Sequence, residues 1–218
     1  MPTKFFHMLP RFYPILDPDI AARHGVDPVA AAEQILAGGA KILQFRYKGF
    51  FSREVFAQLE GVAELCRDAG VTFVVNDRAD LAAITGAALH LGQDDLTPSA
   101  ARKVVGADTL IGFSTHNERQ LRAAAAEPAN YLALGPIFGT SSKVNPDPIV
   151  GLDELRRLRP LTDRPLVAIG GITRGNVQAV LAAGADSVAI IGDLFVDGGD
   201  VRARTQEWVS LTRVTQNV

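Results

Sequence analysis

The chain has 218 residues, with 22 Lys and Arg against 24 Asp and Glu for a formal net charge of −2, and 47% of its residues are hydrophobic. Interspersed, nearly balanced charge offers no basic face for nucleic acid or an anionic membrane, and no stretch approaches the ~20 apolar residues that span a bilayer. The single cysteine, Cys66, excludes an internal disulfide and fits a reducing compartment, so a soluble cytoplasmic protein is expected.

Residues 1–11 mix Lys4, His7 and Arg11 with short apolar pieces and lack the unbroken apolar core of a secretion signal. They read as an N-terminal extension of one domain covering 1–218, because no linker-like stretch divides the chain. Short apolar runs predict strands near 12–17, 41–47, 72–76, 88–92, 110–114, 131–135, 165–169 and 187–191. Most are continuous in Val, Ile and Leu rather than alternating, the mark of a parallel sheet covered on both faces. Helical periodicity fills the gaps at 28–36, 53–67, 98–105, 118–126, 152–158, 176–183 and 201–214, with room only for a short helix at 80–85. Asp27-Pro28 and Thr97-Pro98 are N-cap signatures, and Gly38, Gly70 and Gly106 are stops. Eight strand–helix units in this length predict an α/β fold, a closed (β/α)8 TIM barrel, with an open doubly wound sheet as the competitor. Residues 138–151 have no periodicity but hold Thr140, Ser141, Ser142 and Lys143, the composition of a functional lid.

Ligands of such sheets gather beyond the carboxyl ends of the strands, and this chain places its polar residues there. Alternation after the second strand sends Gln44, Arg46 and Lys48 to the barrel interior and Phe45 and Tyr47 to the helix side. Two cations at a barrel mouth need counter-charge, supplied either by a phosphate or pyrophosphate or by an internal ion pair with Asp77 or Asp95. Asn76-Asp77 and Gln93-Asp94-Asp95 close adjacent strands, so Asp77 and Asp95 could share a hard cation such as Mg²⁺; alternatively Asp94 or Asp95 caps the next helix. Gly170-Gly171 and Ile191-Gly192 end the last two strands, a recurring phosphate position in barrels. His116 after the fifth strand is an acid/base candidate or a hydrogen-bonded structural group, His90 a satisfied interior residue, His7 and His24 surface positions, and Cys66 core filler. Triad hydrolase, structural zinc and dinucleotide motifs are missing from the sequence.

Taken in order, Gln44-x-Arg46-x-Lys48, Asn76-Asp77, His90-x-Gly92-Gln93-x-Asp95, Gly112-x-Ser114-x-His116, Gly135-Pro136 through Thr140-x-Ser142-Lys143 and Gly170-Gly171-Ile172 resemble the thiamine phosphate synthase family from Phe12 to Leu194. Each motif is weak, but six in sequence at strand ends are specific. The resemblance implies a Mg²⁺-dependent transferase that joins hydroxymethylpyrimidine pyrophosphate to thiazole phosphate and releases pyrophosphate, by a dissociative path. It implies that Gln44 holds the pyrimidine, that Arg46, Lys48, Asn76 and Lys143 hold the pyrophosphate, and that Asp77 and Asp95 bind Mg²⁺. Thr140, Ser142 and the backbone of Gly171, Ile191 and Gly192 would hold the thiazole phosphate, with Ser114 beside the reacting centre. The chain departs from the family in lacking a serine near Gly192 and in carrying Ser142 where threonine is usual. A thiazole tautomerase using His116, and a barrel that only binds a phosphorylated ligand, are the alternatives. A homo-oligomer is compatible with all three.

Overall fold

Eight strands pair in parallel, in chain order, and the last closes on the first. They are β1 (Phe12–Leu16), β2 (Ile42–Phe45), β3 (Thr72–Asn76), β4 (Ala88–Leu91), β5 (Ile111–Thr115), β6 (Tyr131–Leu134), β7 (Leu166–Ile169) and β8 (Ser187–Ile190). This is the (β/α)8 barrel, and closure excludes the open sheet. The computed structural model describes residues 9–139, 147–195 and 200–213. Most of the expected extension, residues 1–8, lies outside these, as do Thr140, Ser141, Ser142 and Lys143 of the expected lid.

The strands read as near-continuous apolar runs because both faces are buried. Outward residues such as Leu43, Phe45, Val75, Leu89, Leu132 and Ala168 pack against the helices, and inward ones such as Tyr13, Ile15, Ile42, Val74, Tyr131 and Val167 fill the barrel. Period-two alternation thus sorts each strand into a helix-facing set and a lumen-facing set. Phe45 is in the first set, as its spacing predicted, and Gln44 is turned to the lumen.

The helices are α1 (Pro18–Arg23), α2 (Pro28–Ala37), α3 (Arg53–Asp68), α4 (Ala79–Thr85), α5 (Pro98–Val105), α6 (Glu118–Ala124), α7 (Gly151–Leu158), α8 (Val177–Ala182) and α9 (Val201–Leu211). Asp27, Ser52, Thr97, Asn117 and Asp200 cap their helices with side-chain oxygens, each satisfying otherwise orphaned N–H groups. Because Thr97 fills the cap of α5, accepting from the Ala100 N–H, neither Asp94 nor Asp95 serves there. The periodicity did not anticipate α1. It is only six residues long, but Asp17-Pro18 repeats the signature of Asp27-Pro28, and the Asp17 carboxylate accepts from Asp19 and Ile20.

Helix α9 closes the ring over β1. Trp208 is fully buried, its ring stacked on Phe12 at 5.9 Å between centroids, and its indole N–H donates to Asp193 at 2.8 Å. The same helix explains Gly38, which ends α2 in ordinary right-handed geometry. A Cβ there would lie 2.5 Å from Thr205 Cβ, so the glycine is a close-packing residue and the left-handed turn falls on Gly39. Cys66 is core filler, as expected: it is fully buried among α3 neighbours, and burial pushes its thiol up to about 12.

Candidate active site

A cavity of about 690 Å³ opens at the carboxyl ends of the strands. Its wall collects Gln44, Arg46, Lys48, Asn76, Asp77, Asp95, Ser114, Gly171, Ile191 and Gly192, so every expected site residue within the described range reaches one mouth. Thr140, Ser142 and Lys143 lie outside that range.

Arg46 and Lys48 leave β2 on the lumen side, and both are already paired. Lys48 Nζ donates to Asp77 Oδ2 at 2.5 Å, one of the ion pairs its spacing allowed. Arg46 does otherwise. It pairs with Asp17 Oδ2 at 2.6 Å, whereas the ion-pair alternative had named Asp77 or Asp95. One Asp17 oxygen caps α1 while the other holds the guanidinium, so the helix and the arginine are fixed by the same residue. Arg46 is only 14% exposed along its side chain; Lys48, at 52%, stands at the rim.

Asp77 has φ 64°, the one left-handed non-glycine residue among those described. Such geometry costs about 1–3 kcal/mol and concentrates at functional positions. Its backbone is pinned by an N–H bond to the His90 carbonyl at 2.8 Å, and the conformation aims the carboxylate at Asp95 and Lys48. Burial first, and the neighbouring Asp95 carboxyl second, push Asp77 up to about 6, against the pull of Lys48. Asp95 is itself oriented by the Gly92 N–H, which donates to Oδ2 at 2.7 Å. Two carboxylates forced together beside a single ammonium suit a hard cation, which takes one or two protein carboxylates and shares water and phosphate oxygens. The donor set therefore fits Mg²⁺.

Beside them the Asn76 side-chain nitrogen is buried with no hydrogen-bond partner. A buried donor left unpaired costs about 1–3 kcal/mol, and an anionic oxygen in the cavity would satisfy it. Across the mouth, Gly171 has φ 63°, and a Cβ there would meet the Gly139 carbonyl at 2.4 Å, so only glycine lets the two loops approach. A Cβ on Gly192 would meet nothing within 4 Å, which leaves its backbone open to a ligand.

The floor of the cavity is a chain of polar groups, four buried and Ser114 half-buried, that periodicity did not reveal. Gln44 Nε2 donates to Tyr13 Oη at 2.9 Å, Tyr13 Oη lies 2.7 Å from Tyr131 Oη, Tyr131 Oη lies 3.0 Å from His90 Nδ1, and His90 Nε2 lies 2.9 Å from Ser114 Oγ. His90 is thus the satisfied interior group expected, and burial lowers its pKa to about 4. Burial raises both tyrosines well above the usual phenol range. Gly112 makes the packing possible, since a Cβ there would sit 2.1 Å from Tyr131 Cζ. The signal for this floor was a tyrosine at a lumen position of two strands: a buried phenol must find a partner.

His116 is a bridging group. Its Nδ1–H donates to the Gly135 carbonyl at 2.6 Å, and its Nε2 lies 3.5 Å from Asp147. This ties the end of β5 to the loop after β6, the structural role open to it. His24, expected as a surface position, is half-buried against the Phe195 ring, at 6.3 Å.

The family model described as thiamine monophosphate synthase matches residues 12–194. A thiamine-phosphate synthase of Koribacter versatilis is 49% identical over 211 residues, spanning 93% of this chain and 96% of the relative. One from Chloroflexus aurantiacus is 37% identical over 207 residues, 94% of each chain. Among solved structures, the thiamine phosphate pyrophosphorylase of Pyrococcus furiosus superposes with a TM-score of 0.81 at 29% identity, covering 93% of this chain and 95% of that one.

Proposed function

We infer the chemistry from one premise, that this chain belongs to the thiamine monophosphate synthase family. It is a transferase that forms thiamine phosphate. The reaction we propose condenses hydroxymethylpyrimidine pyrophosphate with thiazole phosphate and releases pyrophosphate. The observation that carries it is the convergence of Arg46, Lys48, Asn76, Asp77 and Asp95 on one mouth, with Asp77 held in a left-handed backbone.

In this reading Gln44 hydrogen-bonds the pyrimidine, while Arg46, Lys48 and Asn76 take the pyrophosphate oxygens, joined by Lys143. Asn76 gains the acceptor that its buried nitrogen lacks. Asp77 and Asp95 hold Mg²⁺, which when bound supplies Lewis-acid stabilisation of the departing diphosphate charge. Lys48, paired with Asp77 and half exposed, turns from that carboxylate to the pyrophosphate. Arg46 stays aimed by Asp17. The leaving diphosphate separates before the thiazole nitrogen bonds to carbon, so no side-chain nucleophile is needed, and Ser114 sits beside the reacting centre. Thr140, Ser142 and the backbone at Gly171, Ile191 and Gly192 receive the thiazole phosphate. The 138–151 segment, as a lid, would keep water from the electron-poor pyrimidine.

Purified protein given Mg²⁺ and both substrates should release thiamine phosphate and pyrophosphate, and chelation should stop it. Lys143→Ala should lower turnover with the melting temperature unchanged. Interconversion of thiazole phosphate tautomers without any thiamine phosphate would overturn the reading.

A further inference from the structure

The hydrogen-bond chain beneath the cavity has a direction. Each tyrosine hydroxyl carries one hydrogen, and a neutral imidazole carries one on either ring nitrogen. Gln44 Nε2 donates to Tyr13, so the Tyr13 hydrogen is paired only if it goes to Tyr131. Tyr131 then donates to His90 Nδ1, which leaves the imidazole hydrogen on Nε2, pointing at Ser114 Oγ. Ser114 accepts that bond and keeps its own hydrogen to donate into the cavity. With the Gln44 amide nitrogen on Tyr13, any other arrangement leaves a buried hydroxyl hydrogen unpaired, at a cost of about 1–3 kcal/mol.

We propose that Tyr13, Tyr131 and His90 are positioning residues, a relay through which the amide orientation of Gln44 on β2 decides whether Ser114 on β5 donates or accepts in the cavity. The relay has two polarities. With the Gln44 amide reversed, its oxygen accepts from Tyr13, Tyr13 accepts from Tyr131, Tyr131 accepts from Nδ1–H of His90, and Nε2 accepts from Ser114. Moving between them rotates three hydroxyls and shifts one hydrogen across the imidazole by exchange with the cavity solvent, with no net gain or loss of protons. A ring bearing an exocyclic amine, by donating to Gln44 Oε1, locks the amide nitrogen onto Tyr13 and so fixes Ser114 as a donor. The same ligand that fills the Gln44 end thereby sets the Ser114 hydroxyl toward acceptors on the substrates. Burial of Tyr13, Gln44, Tyr131 and His90 favours this coupling, since unmade hydrogen bonds are most costly where water cannot replace them.

The proposal rests on the assignment of Gln44 and Ser114 to the substrate site, but its primary test does not depend on turnover. Long-range ¹H–¹⁵N spectra of the ligand-free protein at pH 8, with His90 assigned by its loss in His90→Gln, should show a pyrrole-type Nε2 and a pyridine-type Nδ1. Gln44→Glu presents only acceptor oxygens when ionised and should exchange the two resonance types of His90, three residues along the relay. Should that variant not fold, Gln44→Met, which removes the directing amide, should give a mixture of tautomers instead. Adding Tyr131→Phe should abolish either effect. In steady-state assays Tyr131→Phe alone should lower kcat about tenfold, the effect of one lost hydrogen bond, with KM for the pyrimidine substrate changed less than twofold. A His90 tautomer indifferent to residue 44, or a tautomer response that survives Tyr131→Phe, would overturn the relay and leave the assigned reaction standing. Absence of thiamine phosphate synthesis with the tautomer response intact would do the reverse.

Discussion

His90→Gln should flatten the acid limb of the stability curve. His90 is buried in the barrel, and burial lowers its pKa from 6.5 to about 4; the Asp95 charge opposes that shift and the Lys48 charge reinforces it. Between those two values the unfolded chain holds a proton on this residue that the folded protein does not. Stability therefore rises with pH across this window, is complete above about 6.5, and is lost as pH falls. At 1.36 kcal/mol per unit, the full effect is about 3 kcal/mol, and about 2 kcal/mol of it falls between pH 7.5 and pH 5. Asp77 acts in the opposite sense. Its carboxyl is pushed up to about 6, so the folded protein binds the extra proton and Asp77 costs stability as pH rises from about 4 to 6. The two partly cancel in the parent protein, which makes the difference between parent and variant the informative quantity. Urea unfolding of both at pH 7.5, 6 and 5 reads it directly. The variant is expected to be less stable at pH 7.5 through lost hydrogen bonds, with the gap closing by about 2 kcal/mol at pH 5. A gap that is constant with pH would mean that His90 takes up a proton inside the barrel as readily as in the unfolded chain, and the account of the floor would fail.

Gly112→Ala should cost about 1–3 kcal/mol by overpacking, because the new methyl would press on the Tyr131 ring; a calorimetric melting temperature within a degree of the parent would contradict the packing. Asp17→Asn keeps an oxygen to cap α1 but removes the charge beside Arg46. It should lower stability by about 1–3 kcal/mol and turnover with it, measured by unfolding and steady-state kinetics, and unchanged kinetics would separate Arg46's aim from Asp17.

The strands were legible because a barrel buries both strand faces: runs such as Leu132-Ala133-Leu134 leave little but a parallel strand to choose, and all eight lie where periodicity put them. The strand-end groups were legible for the same reason, since fixing the register of β2, β3 and β4 fixes where Arg46, Lys48, Asp77 and Asp95 emerge. Pairing was harder to read. Arg46 finds Asp17 because β1 neighbours β2 in the closed barrel, and a six-residue helix with a single capped turn left Asp17 without a periodic signal. The floor was illegible because it joins Tyr13, Gln44, His90, Ser114 and Tyr131 from five strands, and only Gly112's missing side chain makes room for it.

Titration calorimetry of pyrophosphate with and without Mg²⁺ tests most directly the proposed roles of Asp77 and Asp95 as metal ligands and of the cations as diphosphate ligands. With Mg²⁺, Asp77→Asn and Asp95→Asn should each weaken pyrophosphate binding by about tenfold or more, since a lost charged ligand costs at least about 1.4 kcal/mol. Without Mg²⁺ the order should reverse, because Asp77→Asn removes a negative charge and releases Lys48 to the anion. Equal affinities for parent and variants in the presence of Mg²⁺ would contradict the account.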